Sequence, residues 1–244
     1  MKIALIGYGK MGKSIDRLAI ASGDEIVLTV NSSNKDSYTD EELRKADVAI
    51  EFTRPDQAVD NLRRCISAGV PVVTGTTGWY DKLPVIKKEC ESGGGSVFYA
   101  SNFSIGVHLF FEAARHIALL MSNHPQYANL SVHETHHIHK ADAPSGTAIK
   151  LAEKLLSVND HLKKWTGLPE GADRPTSDTL PVYYTRSDEV PGTHTAKWES
   201  VQDCIHLTHT AHNRDGFASG ALTAARWLLE RKAGVFTMED LLVL

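Results

Sequence analysis

Cysteine is scarce. Cys65, Cys90 and Cys204 are the three cysteines in 244 residues, widely spaced and without a CxxC pair. That leaves neither a disulfide framework nor a cysteine zinc site, and the expected setting is reducing and cytoplasmic. Long apolar runs are missing as well: the first is stopped at Gly7, too short for a signal-peptide core, and no later window approaches the ~18 uncharged apolar residues of a membrane span. Nor is there an excess of positive charge, because 26 Lys and Arg against 30 Asp and Glu leave a net charge of −4. Neither nucleic acid nor a membrane is therefore expected as a partner. No internal repeat is found, and no low-complexity segment beyond Gly93-Gly94-Gly95. The remaining composition, 42% apolar and 23% charged, is that of an ordinary globular chain, which excludes disordered and coiled-coil architectures and leaves room for one large domain or two smaller ones.

The chain opens on a short buried strand, residues 2–6, followed at once by Gly7-Tyr8-Gly9-Lys10-Met11-Gly12 and a helical pattern through Ile15, Leu18 and Ala19. Strand, G-x-G-x-x-G and helix form the dinucleotide-binding context. The first glycine makes the tight turn, the second lets a pyrophosphate approach the backbone, and the third lets helix and strand pack closely. A second strand, 25–30, ends at Asn31, where an acid about 20 residues beyond the glycine loop normally holds the ribose hydroxyls of NAD. Here the loop reads Asn31-Ser32-Ser33-Asn34-Lys35. Without a carboxylate and with one cation it admits a 2′-phosphate, and Asn31 also suits a hydroxyl, so NADH and NADPH both stand.

Thr39 to Glu42 is a capping box for a short helix. Further strands are expected at 47–52, 70–74 and 96–100, alternating with helices at 58–68, stopped by Gly69, and at 81–91; residues 92–95 read as a loop. The β-α order with right-handed crossovers makes a parallel sheet covered on both faces, a Rossmann-like domain. Its ligand loops are those after the strands, Thr53-Arg54-Pro55, Gly75-Thr76-Thr77-Gly78-Trp79 and Ser101-Asn102-Phe103-Ser104. A long helix with Val107, Phe110, Phe111, Ala114 and Ala118 on one face then carries the chain out of this domain.

From Tyr127 the period changes. Residues 130–134, 181–185, 193–199 and 204–211 read as antiparallel strands with one packed face, and about 160–178, with Gly167, Pro169, Gly171 and Pro175, as loop. Trp165 and Trp198 are expected to pack, and His108 and His116 to sit on a helix surface. A last helix near 217–231 is expected to return to the first domain, followed by a short tail, 236–244. The fold class is thus α/β: a Rossmann-like parallel-sheet nucleotide domain with a second α+β domain.

The densest chemistry lies in residues 131–148, SVHETHHIHKADAPSGTA. His133, His136, His137, His139 and Lys140 carry protons near neutral pH or hold anions. Strand alternation sets His133 and His137 on a different face from Glu134 and His136. Pro144 ends the strand, and Ser145-Gly146-Thr147 open a helix whose free amides and dipole favour an anion such as a carboxylate. No HExxH spacing and no nearby cysteine accompany the histidines, so no metal is expected.

GYGKMG at 7–12, EFTRP at 51–55, GTTGW at 75–79, SNFSIGV at 101–107 and ETHHIHKADAPSGTA at 134–148 together resemble the 4-hydroxy-tetrahydrodipicolinate (dihydrodipicolinate) reductase family of lysine and diaminopimelate synthesis. The resemblance implies a nucleotide domain of residues 1–103 and 214–244, and a substrate domain of residues 104–213 whose sheet builds a homotetramer. It further implies hydride transfer from NADH or NADPH to a cyclic imine carrying two carboxylates, a small dicarboxylate substrate. By motif, His136 resembles the proton donor/acceptor and Lys140 the proton donor, while His137, Ser145, Gly146 and Thr147 resemble the carboxylate holders. Gly7, Tyr8, Gly9, Lys10, Met11 and Gly12 resemble the pyrophosphate loop, Gly75, Thr76 and Thr77 the loop beside the nicotinamide ribose, and Ala100, Ser101, Asn102 and Phe103 the cofactor-closing loop. Asn31 and Arg54 belong to the adenosine end. The chain departs from the family at Asn31-Ser32, where an acid and an Arg are frequent, at Ile138, and in a short 31–47 region. A two-domain dehydrogenase for another small acid and a non-catalytic nucleotide sensor are the competing readings.

Overall fold

The structure is a computed structural model and describes residues 1–243. The chain divides into two compact units, Met1–Ile105 together with the segment from Arg214 onward, and Gly106–Asn213. In the first unit, β1 (Lys2–Ile6), α1 (Lys10–Ala21), β2 (Glu25–Val30), α2 (Asp40–Leu43), β3 (Val48–Glu51), α3 (Pro55–Ala68), β4 (Val72–Thr74), α4 (Leu83–Gly93) and β5 (Ser96–Tyr99) follow one another. The five strands pair in parallel in the order β5-β4-β3-β1-β2. Alternate residues of β1 face opposite ways: Ile3 and Leu5 join Ile15 and Ala19 of α1, whereas Ala4 and Ile6 join Ala58, Leu62 and Cys65 of α3. Each fully buried Leu or Ile contributes about 1.5–3 kcal/mol relative to exposure.

Local chemistry explains the element ends. Thr39 and Glu42 form the capping box of α2. Helix α3 begins three residues ahead of the expected start because Pro55 sits at its first position, where the missing N–H is no loss, and it stops at Gly69 in the left-handed conformation. Helix α4 absorbs Ser92 and Gly93, which read as loop from composition, and Gly94 is its left-handed cap.

The second unit contains α5 (Ile105–Met121), β6 (Asn129–His136), α6 (Gly146–Leu156), β7 (Lys164–Pro169), β8 (Thr179–Arg186), β9 (Gly192–Glu199) and β10 (Cys204–Ala211). Strand order is β10-β9-β6-β8-β7. Two expectations are corrected. The sheet is mixed, since β6 pairs with β9 and β9 with β10 antiparallel, but β8 runs parallel to both β6 and β7; the helix α6 between β6 and the strands that follow lets the chain cross back and run the same way. Residues 164–169 are a strand, not loop. Gly167 and Pro169 disguise it: a Cβ at 167 would meet Pro144 Cδ at 2.5 Å, and Pro169 is tolerated at the end of an edge strand. One face of this sheet, with Leu130, Val132, Leu180, Val182, Ala196 and Trp198, packs on α5 and α6.

The chain returns to the first unit as α7 (Asp215–Leu229), β11 (Gly234–Phe236) and α8 (Met238–Leu242). Ala218, Ala221, Ala225 and Leu228 pack on the α1 face of the sheet, and β11 adds a sixth parallel strand beside β5. The short tail expected from 236 carries structure of its own: Thr237 and Asp240 form a capping box for α8. Leu244 lies outside the described residues.

Candidate active site

Ligand chemistry in the first unit gathers at the carboxyl ends of the strands. Gly7 takes a φ of 101° after β1, and a Cβ there would lie 2.0 Å from the Phe52 carbonyl oxygen. A Cβ on Gly12 would lie 2.2 Å from the Gly7 oxygen. The loop therefore closes only with glycine at both positions. Gly9 is different. It is the N-cap of α1 with no side-chain cap, and a Cβ there would meet nothing within 4 Å, so the backbone faces open space in front of the helix amides. Lys10 is exposed, and Met11 packs against the core. The space belongs to a cleft of 440 Å³ lined by Gly7, Tyr8, Gly9, Asn31, Lys35 and Arg54 among others. A helix N-terminus with no side chain in the way fits a pyrophosphate.

At the end of β2 the Asn31 Oδ1 accepts from the Ser33 amide at 2.8 Å, and the Asn34 Oδ1 accepts from the Asn31 amide at 2.7 Å. The turn is closed by amides and hydroxyls, and among the described residues no Asp or Glu lines the cleft. Lys35 and Arg54 supply its positive charge; Arg54 also pairs with Asp56 on the surface.

The loops after β3 and β4 meet around Glu51, which is fully buried. Its carboxylate accepts from the Thr53 amide and the Thr76 hydroxyl, both at 3.0 Å, and from the Thr74 and Thr53 hydroxyls. The Gly75 amide donates to the Glu51 carbonyl at 3.0 Å. Gly75 must be glycine, because a Cβ would fall 2.0 Å from the Phe52 ring. Behind Ala100-Ser101-Asn102, Phe103 is buried against Phe98 and Phe52 at ring distances of 5.9 and 5.8 Å. Arg54, Gly75, Thr76, Thr77 and Ala100–Phe103 thus stand on neighbouring loops of one sheet edge, as doubly wound folds place their ligand sites.

The second unit holds the titratable cluster. Along β6, Leu130, Val132, Glu134 and His136 are buried, whereas His133 turns to the other face, between Ser131 and Glu170 and 5.0 Å from the Tyr183 ring. His133 therefore stands apart from His136. The register sets His194 of β9 and Tyr184 of β8 opposite Glu134, and Arg186 opposite His136. Around the Glu134 carboxylate, Arg186 donates to Oε1 through Nη1 and Nη2, each at 3.1 Å, and the Ser145 amide lies 3.1 Å from both oxygens. His136 Nδ1 and His194 Nε2 lie 3.4 and 3.7 Å from Oε2. Burial pushes the Glu134 carboxyl up, but the adjacent His136 and His194 imidazoles and the Ser145 amide outweigh it and hold the group well below the usual carboxylate range. Burial pushes His194 down, partly opposed by Glu134. The cluster is thus an anion beside a neutral imidazole. Ligand atoms of Glu134, His136 and His194 come within 4.8 Å of one another, but a guanidinium already holds that carboxylate, and its charge opposes a cation there.

Ser145 is the N-cap of α6; its Oγ accepts from the Ala148 amide at 3.2 Å and meets His194 Nε2 at 3.2 Å. The amides of Gly146 and Thr147 lie in the first turn, where the helix has no use for them, and a Cβ on Gly146 would meet open space. His137 follows His136, half-buried. Lys140 donates to Asp142 at 2.7 Å on the intervening loop, and His139 is exposed near Glu189. The structure brings His136 and Ser145 together through Glu134 and leaves Lys140 and His137 on the loop between them. Arg186 and His194 escaped the sequence reading, although an alternation check would have found His194, which shares the inward parity of Ala196 and Trp198.

A parallel sheet with a glycine-lined cleft at its strand ends, joined in one chain to a unit bearing buried histidines beside a helix N-terminus, is the frame of an NAD(P)H-dependent oxidoreductase. The chain belongs to the dihydrodipicolinate reductase family: the pattern described as "Dihydrodipicolinate reductase, N-terminus" matches residues 1–103 and "Dihydrodipicolinate reductase, C-terminus" residues 106–242. It is 41% identical to the 4-hydroxy-tetrahydrodipicolinate reductase of Christiangramia forsetii, over 99% of this chain and 98% of that one. It is 37% identical to the enzyme of that name from Methanopyrus kandleri, over 82% of this chain and 72% of the relative. The dipicolinate-bound dihydrodipicolinate reductase from Paenisporosarcina sp. TG-14 shares the fold with a TM-score of 0.76 at 24% identity, over 98% of both chains.

Proposed function

We propose that the chain reduces 4-hydroxy-tetrahydrodipicolinate to tetrahydrodipicolinate at the expense of NADH or NADPH. In the net reaction the ring C–OH becomes C–H: a hydride arrives, and the hydroxyl leaves with a proton as water. The coenzyme, when bound, supplies the hydride. The chain supplies the rest. The Gly146 and Thr147 amides, with Ser145 and His137, grip a substrate carboxylate at the start of α6, and His136 and Lys140 carry the proton. Gly7–Gly12, Asn31 and Arg54 take the pyrophosphate and adenosine end; Gly75–Thr77 and Ala100–Phe103 take the nicotinamide end. The observation that carries this reading is the buried carboxylate of Glu134, which contacts both His136 and the Ser145 amide and so joins a proton carrier to an anion-binding helix start.

The finer points follow from the same residues. Lys35 and Arg54, on the lining of a cleft to which no Asp or Glu side chain contributes among the described residues, support binding of a 2′-phosphate as well as a hydroxyl, hence use of both coenzymes. The face of the second sheet turned away from α5 and α6 carries Thr135, Thr193, Thr195 and Thr208, with Thr195 and Thr208 hydroxyls 2.9 Å apart; this half-polar face supports self-association as a homotetramer. Among the described residues no helix is long and apolar enough to cross a membrane, and a cytoplasmic location suits the reduced coenzyme. Purified protein is expected to oxidise NADH or NADPH only when the condensation product of pyruvate and aspartate semialdehyde is supplied, and binding titrations with each coenzyme measure the preference. Absence of oxidation with both coenzymes would remove the assignment.

A further inference from the structure

Four segments converge on one ion pair. The Glu134 carboxylate touches the Ser145 amide, His136 and His194. Arg186, bound to the same carboxylate, donates through Nε to the Lys140 carbonyl at 3.3 Å and through Nη2 to the Asp142 carbonyl. The two proton carriers, His136 on β6 and Lys140 on the loop, therefore hang from the two ends of one buried pair, and the carboxylate-gripping helix start hangs from its Oε1 and Oε2.

The ring of His136 is constrained on every side. Among the described residues its buried Nδ1 has no hydrogen-bonded partner, and the ion-pair contact of that nitrogen is Glu134 Oε2 at 3.4 Å. His194 stands edge-on at a ring distance of 4.9 Å and an angle of 70°. On the other side, Gly192 leaves space: a Cβ there would lie 2.9 Å from His136 Nε2. An anion beside Nδ1 favours the proton on that nitrogen and turns Nε2 to the chemistry, as the partner of one imidazole nitrogen fixes the role of the other.

We infer that Glu134, locked to Arg186, is the positioning residue of this site: it holds the His136 proton on Nδ1 and, through Arg186 and the Ser145 amide, orders the loop from Lys140 to the start of α6. The inference rests on the reading of His136 and Lys140 as the proton carriers. Glu134 touches no substrate atom on this account. It acts through the residues it holds, and the apolar face of β6 explains why the carboxylate is tolerated only with a guanidinium in place.

The test compares Glu134→Gln and Glu134→Asp with the wild type and His136→Gln by two readouts. The ring-nitrogen spectrum of 15N-histidine-labelled protein distinguishes the two tautomers, and the His136 signals are identified by their loss in His136→Gln. Steady-state kinetics give kcat and the coenzyme KM. The wild type is expected to show the Nδ1–H pattern at His136 and Glu134→Gln to lose it. In that variant kcat is expected to fall at least about tenfold, while the coenzyme KM stays within about twofold. Glu134→Asp keeps the charge but withdraws it from His136 by one carbon, and it serves with the same expectations should Glu134→Gln fail to fold. A wild-type spectrum with the proton on Nε2, or a variant that keeps both the Nδ1–H pattern and wild-type kcat, would overturn the inference. Full turnover in His136→Gln would instead remove His136 from the reaction, and the tautomer comparison would still decide what Glu134 does.

Discussion

Replacing Arg186 by Met separates the charge of the central pair from its bulk, because methionine retains much of the stem while the guanidinium is lost. Glu134 is 1% exposed, so its carboxylate cannot turn to water. It would lose both 3.1 Å donors to Oε1 and keep the Ser145 amide, with His136 and His194 at 3.4 and 3.7 Å. Removing one partner of a buried pair costs about 3–5 kcal/mol. The remaining amide and imidazoles offset part of that, which places the expected loss near the lower bound, about 3 kcal/mol. For a chain of this size each kcal/mol lowers Tm by about 2–4 °C, so calorimetry should show a drop of about 6–12 °C. The Lys140 and Asp142 carbonyls also lose their donor, and turnover should fall about tenfold or more with the coenzyme KM unchanged. Arg186→Lys should recover part of the Tm but little of the turnover, since one ammonium cannot reproduce the planar fork that reaches carboxylate and carbonyls together. A fall in Tm below about 2 °C with normal turnover would refute the dependence of the buried carboxylate on its cation.

Gly9→Ala is expected to leave folding stability within about 0.5 kcal/mol, because its Cβ enters open space, yet to weaken coenzyme binding by at least about tenfold by standing where the pyrophosphate must approach; equal affinity in a titration would count against the cleft. Gly192→Ala, whose Cβ would press on His136 Nε2 at 2.9 Å, should lower kcat and spare the coenzyme KM, and normal kcat would show that Nε2 is not the working nitrogen. Acid unfolding reports on Glu134. Its folded-state pKa is below the ordinary 4.5, so the stabilisation it contributes is complete above that value and is lost as pH falls toward the lower folded-state value. The urea midpoint should therefore decline more steeply below about pH 4.5 in the wild type than in Glu134→Gln, and parallel curves would contradict the shift.

What the sequence could reveal depended on whether a signal was local. The glycine loop, the Thr39 capping box, the strand 25–30 and the Ser145 helix start are written in neighbouring residues, and each is found where its local chemistry put it. Strand β7 was hidden because Gly167 serves a tertiary demand, the close approach of Pro144, and Pro169 ends an edge strand, and together they mimic loop composition. The direction of β8 was also out of reach, since pairing with β6 and β7 is decided by the path of the chain and not by the residues of the strand. The site shows the same limit more sharply. Alternation along β6 sets Glu134 on the face of Leu130 and Val132, and an acid on a buried face requires a cation. The requirement can be read from residues 130–136 alone. Its answer cannot, because Arg186 lies 52 residues away at the end of a strand whose register with β6 only the folded sheet defines. An inward-facing acid next to a candidate catalytic histidine is therefore best treated as an unfinished ion pair, and the search for its partner belongs among the basic residues that end neighbouring strands on the same face.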